Sequence, residues 1–198
     1  MNPLPQVYLV RHGQTEWSLS GRHTGRSDIP LTAAGEDNAR RVGRRLAGLS
    51  FAHVLCSPSQ RARRTCELAG FAASAQIDPD LAEWDYGELE GLHTAEIHAL
   101  YPGWELFRDG SPGGESIADV TARADRVVSR LRAFNANVLV FSSGHFLRSL
   151  AARWVGIDLS LGRHLLLATG SLSILGYEHG LDEPALALWN EPVADSAL

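Results

Sequence analysis

Unbroken apolar runs recur along this chain, and the clearest of them end abruptly in small, polar or cationic residues. Val7-Tyr8-Leu9-Val10 runs into Arg11-His12-Gly13, Ala52-His53-Val54-Leu55-Cys56 into Ser57-Pro58-Ser59, and Val138-Leu139-Val140-Phe141 into Ser142-Ser143-Gly144. Continuous rather than alternating apolarity predicts strands buried on both faces, as in a parallel sheet. Between the runs the apolar positions step by three and four. Ala39, Val42, Leu46 and Leu49 predict the buried stripe of a helix. Thr32 is its expected N-cap, with Glu36 and Asp37 early in the helix, where the dipole favours acids. A second helix is expected over about 59–69 and a short strand at 76–77. Ile117, Val120, Ala124, Val127, Leu131 and Phe134 mark the clearest helix. Ser116 and Asp119 open it in the manner of a capping box with Asp in place of Glu. Another helix should follow His145 to about Trp154. Residues 171–177 and 185–189 predict an antiparallel pair at one side of the sheet, and 191–198 a frayed tail.

Strands alternating with helices imply a three-layer α/β/α sandwich, its sheet mostly parallel with an antiparallel edge strand. Over about 78–115 the periodicity loosens, and Trp84, Tyr86, Trp104 and Phe107 alternate with glycines and carboxylates. Long loops in compact domains tend to be functional, so this region is read as an insertion folded over a site. No repeat or linker interrupts the chain, and residues 1–198 are read as one domain.

Composition narrows the function. A chain of 198 residues with 44% hydrophobic and 21% charged residues resembles an ordinary globular domain, burying roughly 70% of its unfolded surface. No apolar run approaches a membrane span, and the first five residues lack the basic and apolar regions of a signal peptide. Cys56 and Cys66 form no disulfide framework and no C-x-x-C pair. These features point to a cytoplasmic protein without a membrane partner. A net charge of −5 argues against nucleic acid. All 18 basic residues are arginine, so no lysine Schiff base or P-loop lysine operates, and any phosphate clamp must be guanidinium.

Ligands of parallel sheets sit at the carboxyl ends of the strands. Arg11 and His12 therefore belong at a pocket floor, with Gly13 permitting a sharp turn or close approach to a ligand. A cation beside a titratable nucleophile suggests phosphate chemistry. Arg61 reads, on spacing alone, as a solvated helix face beside Arg63 and Arg64. His93 and His98 do not share a helix face, and His53, His164 and His179 have no partners in sequence; no metal site or cofactor is expected.

Taken together, the motifs resemble those of the histidine phosphatase (phosphoglycerate-mutase-like) superfamily. Leu9-Val10-Arg11-His12-Gly13-Gln14-Thr15-Glu16-Trp17-Ser18 is similar to its defining motif. Leu31-Thr32-Ala33-Ala34-Gly35, then Ser57 to Thr65, then Leu81-Ala82-Glu83-Trp84-Asp85-Tyr86-Gly87 and Gly114-Glu115-Ser116, follow in the order the family requires. The resemblance spans about 7–155 and reassigns Arg61 to the site. It implies His12 as the nucleophile, Arg11 and Arg61 as clamps on the phosphoryl oxygens, and Glu83 as acid and then base. Aromatic neighbours Trp84 and Tyr86 would favour the protonated Glu83 by desolvation. Gln14, Ser18, His23, Thr24, Gly25 and Gly144 are the implied substrate contacts. Ser18 stands where the family often has asparagine.

The family carries a second histidine where this chain has Ser143. Three accounts stand side by side: an introduced substitution, compensation by His145, or a protein of weak or lost activity. His145, two residues later at a helix start, is expected to point elsewhere. The implied activity is hydrolysis of small phosphorylated metabolites, sugar phosphates or bisphosphates first, resembling the small acid phosphatase and sugar-bisphosphatase branch. A mutase is the rival, but the 91–114 span is short and Arg108 is its only cation. A non-catalytic phospho-ligand binder is the rival from another class. A homodimer is left open.

Overall fold

The computed structural model describes residues 4–193. Its sheet has six strands: β1 (Val7–Arg11), β2 (His53–Cys56), β3 (Ala75–Ile77), β4 (Val138–Ser142), β5 (Ser171–Tyr177) and β6 (Pro184–Pro192). They lie in the order β3-β2-β4-β1-β5-β6. β1 pairs in parallel with β4, and β2 in parallel with both β3 and β4. β5 runs antiparallel to β1 and to β6. The antiparallel pair therefore forms one side of the sheet, as the sequence predicts.

Seven α-helices complete the described architecture: α1 (Glu16–Ser20), α2 (Ala33–Arg45), α3 (Gln60–Leu68), α4 (Thr94–Leu100), α5 (Leu106–Asp109), α6 (Ile117–Phe134) and α7 (Gly144–Trp154). The pleat of β1 divides the core. Val7 and Leu9 pack with Val120, Val127, Leu147 and Leu150 of α6 and α7. Tyr8 and Val10 pack with Val42, Leu46, Ala62 and Cys66 from α2 and α3 and the turn after α2. Helices thus cover both faces, which is why the central strands are apolar throughout.

Local chemistry explains the helix starts. Thr32 caps α2 by accepting from Gly35 N–H, and Ser116 and Asp119 cap α6 reciprocally. α1, not foreseen in sequence, is short and opened by a reciprocal Thr15–Ser18 cap. Two expectations need correction. Leu49 is 40% exposed, because α2 ends before it, so the buried stripe stops at Leu46. Glu191 and Pro192 extend β6 rather than fraying, and Glu191 pairs with Arg45 at 3.1 Å. The remainder of the expected tail, from 194, lies outside the described residues.

The 78–115 region folds as two short helices, α4 and α5, with 3-10 turns at Pro79–Leu81 and Gly87–Leu89. Trp84, Tyr86, Trp104 and Phe107 are buried in it and join the core that Val7 and Leu9 share with α6 and α7.

Candidate active site

The carboxyl ends of three parallel strands meet at one place. Arg11 is in register with Ser142, and the next amide, His12 N–H, donates to the Ser142 carbonyl at 3.0 Å. Ser57 N–H, just past β2, donates to the Phe141 carbonyl at 2.9 Å. α3 and α7 start from these ends and carry Arg61 and Gly144 inward. A cavity of about 240 Å³ opens above them, its lining including Arg11, His12, His23, Glu83, Tyr86 and His145. Grooves of about 620 Å³ exist elsewhere. One presents Arg64, but that cation is already paired with Glu36 and Glu67. Chemistry, not size, selects the smaller cavity.

His12 is 4% exposed. Its Nδ1 lies 2.8 Å from the Gly13 carbonyl. A carbonyl only accepts, so Nδ1 carries the proton and Nε2 keeps its lone pair. Burial, then Arg61 and Arg11, hold the imidazole well below its ordinary pKa, so it is neutral and nucleophilic at pH 7. Gly13 is required by packing rather than by a ligand. A Cβ there would lie 2.2 Å from the Gly35 carbonyl at the start of α2.

Arg61 is fully buried, the opposite of a solvated helix face. Its terminal nitrogens donate to the Ser27 carbonyl at 2.9 Å and to the Thr24 and Gly25 carbonyls at 3.0 Å. Arg11 donates to the Leu167 carbonyl. In both guanidiniums Nε is buried without a partner, and among the described residues these are the two buried side-chain polar atoms so left. Orphaned buried donors cost roughly 1–3 kcal/mol, more when charged. Burial pushes both guanidiniums down from their usual value, Glu83 opposing it.

Glu83 is 9% exposed. Its Oε1 accepts from Trp84 N–H at 2.9 Å and Phe146 N–H at 2.7 Å, and its Oε2 from His145 N–H at 3.0 Å. The carboxyl group is therefore docked on the first turn of α7, where free amides and the helix dipole attract it. The aromatic surround expected for it is half right. Trp84 turns into the core, donating Nε1–H to the Glu115 carbonyl, whereas Tyr86 does face the cavity.

The implied substrate contacts separate into three groups. Ser18, His23 and Thr24 line the cavity, although the Ser18 hydroxyl accepts from Thr15 N–H and donates to the Thr15 carbonyl. Gln14 is turned to the Thr32 hydroxyl at 2.9 Å and is absent from the lining. Gly25 and Gly144 act through packing: Gly25 accepts from Arg61 and donates to Glu90. A Cβ on Gly144 would lie 3.0 Å from Arg11 Cζ. Ser143 is buried, its Oγ 3.5 Å from an Arg61 terminal nitrogen.

His145 points differently from Ser143, whose Oγ faces Arg61. It lines the cavity, with Nδ1 2.5 Å from the Tyr86 hydroxyl. Sequence reasoning left Arg22 and Thr94 unassigned although both line the cavity. Thr94 belongs to the folded 78–115 region, and Arg22 is held against it by donating to the Gly91 carbonyl, contacts to which a local pattern gives no signal. His179, expected to lack a partner, pairs with Glu183 at 2.8 Å on an exposed turn.

Residues 7–192 match the histidine phosphatase superfamily (branch 1). The chain belongs to this family. As a histidine phosphatase it is a hydrolase of phosphate monoesters. It is 40% identical over 185 residues to an acid phosphatase of Mycobacterium tuberculosis, covering 91% of each chain. It is 32% identical over 249 residues to sedoheptulose 1,7-bisphosphatase of Saccharomyces cerevisiae, covering 93% of this chain and 92% of the other. A solved Mycobacterium tuberculosis open-reading-frame product superposes with a TM-score of 0.91 at 38% identity, covering 96% of this histidine phosphatase and 99% of that chain. No helix among the described residues is long and apolar enough to cross a membrane.

Proposed function

We propose that this chain hydrolyses small phosphate monoesters, sugar phosphates or bisphosphates foremost, through a phosphohistidine on His12. The observation that carries the reading is a neutral imidazole, its Nδ1 fixed on Gly13, between two arginines with unpartnered buried Nε donors. In the first step His12 Nε2 attacks phosphorus and the P–O ester bond breaks. Glu83 gives its proton to the departing alcohol. In the second step Glu83 takes a proton from water, whose oxygen attacks phosphorus, the P–N bond breaks, and inorganic phosphate leaves. Arg11 and Arg61 stabilise charge on the phosphoryl oxygens throughout, and such positioning and charge stabilisation dominate phosphoryl transfer. Hydrolysis is favoured over mutase chemistry because Arg108, the lone cation of the 91–114 span, is paired with Asp109 at 2.6 Å. The sugar-phosphate preference is supported by the yeast relative's name. A cytoplasmic setting is part of the same reading, supported by the free, buried Cys56 and Cys66.

Ser143 offers one neutral oxygen where a cationic donor would serve the transferring phosphoryl group, a loss worth about 10²–10³ in rate. Phosphate release from an ester panel tests the assignment. His12→Ala abolishes turnover and the acid-labile phosphoenzyme seen on rapid quench, and Ser143→His raises kcat by roughly one to three decades. Tight phosphate binding with no turnover in either the serine or the histidine form would establish the binder instead.

A further inference from the structure

Arg61 holds a full positive charge with no exposed surface, and among the described residues no carboxylate pairs with it directly. Its terminal nitrogens go to the Thr24, Gly25 and Ser27 carbonyls instead. The balancing anion stands one peptide group away. The Thr24–Gly25 peptide accepts from Arg61 through its carbonyl at 3.0 Å. Through its N–H the same peptide donates to Glu90, to Oε1 at 2.9 Å and Oε2 at 3.1 Å. Ser27 also takes part at both ends, its carbonyl accepting from Arg61 at 2.9 Å and its N–H donating to Glu90 Oε1 at 3.0 Å. Guanidinium, peptide dipole and carboxylate are thus joined in series, each hydrogen bond polarising the next.

The surroundings keep this relay in register. Gly91 N–H donates to the His23 carbonyl at 2.9 Å, and His23 N–H to the Leu92 carbonyl at 3.0 Å. The backbone after Glu90 is therefore tied to the backbone before Thr24. Gly25 admits no side chain, since a Cβ would lie 2.5 Å from the Trp84 carbonyl and 2.7 Å from Glu90 Oε2. Residues 24–27 are clasped between a cation on their carbonyls and an anion on their amides. Burial lowers the Arg61 pKa, and Glu83, Tyr86, Asp28 and Glu90 oppose it. Arg61 in turn helps burial to lower the pKa of His12, so the relay ends close to the nucleophile.

We propose that Glu90 is a positioning residue for the phosphoryl clamp, holding the Arg61 guanidinium beside His12 through the Thr24–Gly25 peptide. Glu90 is absent from the cavity lining and acts only through Arg61. Without its carboxylate the Gly25 and Ser27 amides lose their acceptor, the carbonyls lose their fixed direction, and Arg61 gains room to swing. The inference rests on the phosphatase reading of the same site and adds the device that steadies one of its two arginines.

A double-mutant cycle tests it, with kcat/KM for p-nitrophenyl phosphate and the Kd of inorganic phosphate as readouts. Glu90→Ala should lower kcat/KM about 10–100-fold, the scale of a clamp displaced by about 1 Å. Glu90→Gln keeps an acceptor for both amides but not the charge, and should lose only a few-fold. Added to Arg61→Gln, Glu90→Ala should cost less than about threefold more, because residues that act as one unit are not additive. A merely structural role would lower both backgrounds by the same factor. That result, or unchanged kcat/KM in folded Glu90→Ala, overturns the inference and leaves the phosphatase reading standing. Should Glu90→Ala not fold, Glu90→Gln enters the same cycle, where a loss confined to the Arg61 background supports the inference and any other result overturns it. If the unsubstituted protein releases no phosphate, the phosphatase reading falls and the phosphate Kd completes the cycle. Weakening by Glu90→Ala only where Arg61 is present then keeps the inference, and equal or no weakening overturns it. Absence of both turnover and phosphate binding overturns both.

Discussion

A guanidinium in the cavity is only as useful as the backbone that lets it lie there. Arg11 passes so close to α7 that a Cβ on Gly144 would sit 3.0 Å from its Cζ and 3.1 Å from its Nε. Gly144→Ala should push Arg11 off the phosphoryl position. Displacements of about 1 Å can cost near 10²-fold in rate, so kcat/KM should fall about 10–100-fold while far-UV circular dichroism stays unchanged. Ordinary kinetics would remove Arg11 from the clamp. The same residue shows how legibility divides. Arg11 and His12 could be read locally, because an apolar run ending in a cation and a histidine carries its own context. Arg61 could not, since a buried arginine with three backbone carbonyl partners and a solvated one beside Arg63 look alike in sequence. The place of His145 in the cavity is not legible in sequence, because helix phase alone does not say that the 78–115 region brings Tyr86 to its ring.

At the scale of elements, the segment bearing Glu83 is held by α6. Arg123 of α6 pairs with Glu115 at 2.6 Å and donates to the Asp80 and Ala82 carbonyls at 2.9 and 2.7 Å. Its guanidinium also lies 4.2 Å from the centre of the Phe146 ring. This pair is largely buried, and removing one partner of such a pair costs about 3–5 kcal/mol. Arg123→Ala should lower the melting temperature by several degrees or more and depress kcat further than the stability loss explains. Glu115→Gln keeps a hydrogen-bond acceptor and should show a smaller loss in both. Unchanged kcat in folded Arg123→Ala would show that Glu83 needs no such support. The caps at Thr32 and Ser116 were legible because they are contacts within one helix turn. The Arg123 network links residues some forty positions apart, and no spacing rule reaches it.

For the whole molecule, the buried histidines couple the site to stability through pH. His12, His23 and His145 are all lowered from 6.5, with burial the leading cause. Below pH 6.5 the unfolded chain takes up protons that these folded rings refuse, so stability falls as the pH drops, until the folded values are reached. Denaturant titrations should show this decline beginning near pH 6.5, ahead of the carboxylates such as Asp80 and Asp119, whose lowered pKa values act at more acid pH. Catalysis runs the other way. A nucleophile that stays neutral in acid keeps working there, so the acid limb of kcat/KM should lie below 6.5. An acid limb at or above 6.5 would mean that His12 is not the titrating nucleophile. The amino-acid sequence by itself determined the strands, the four longer helices α2, α3, α6 and α7, the caps at Thr32 and Ser116 and the motif that places His12 and Arg11, because these depend on neighbours within a few residues. Only the tertiary structure decided that Arg61 is buried, that Glu83 docks on α7 and that three imidazoles share one cavity. Those facts rest on contacts between distant segments, whose desolvation and packing exist only once the sheet has assembled.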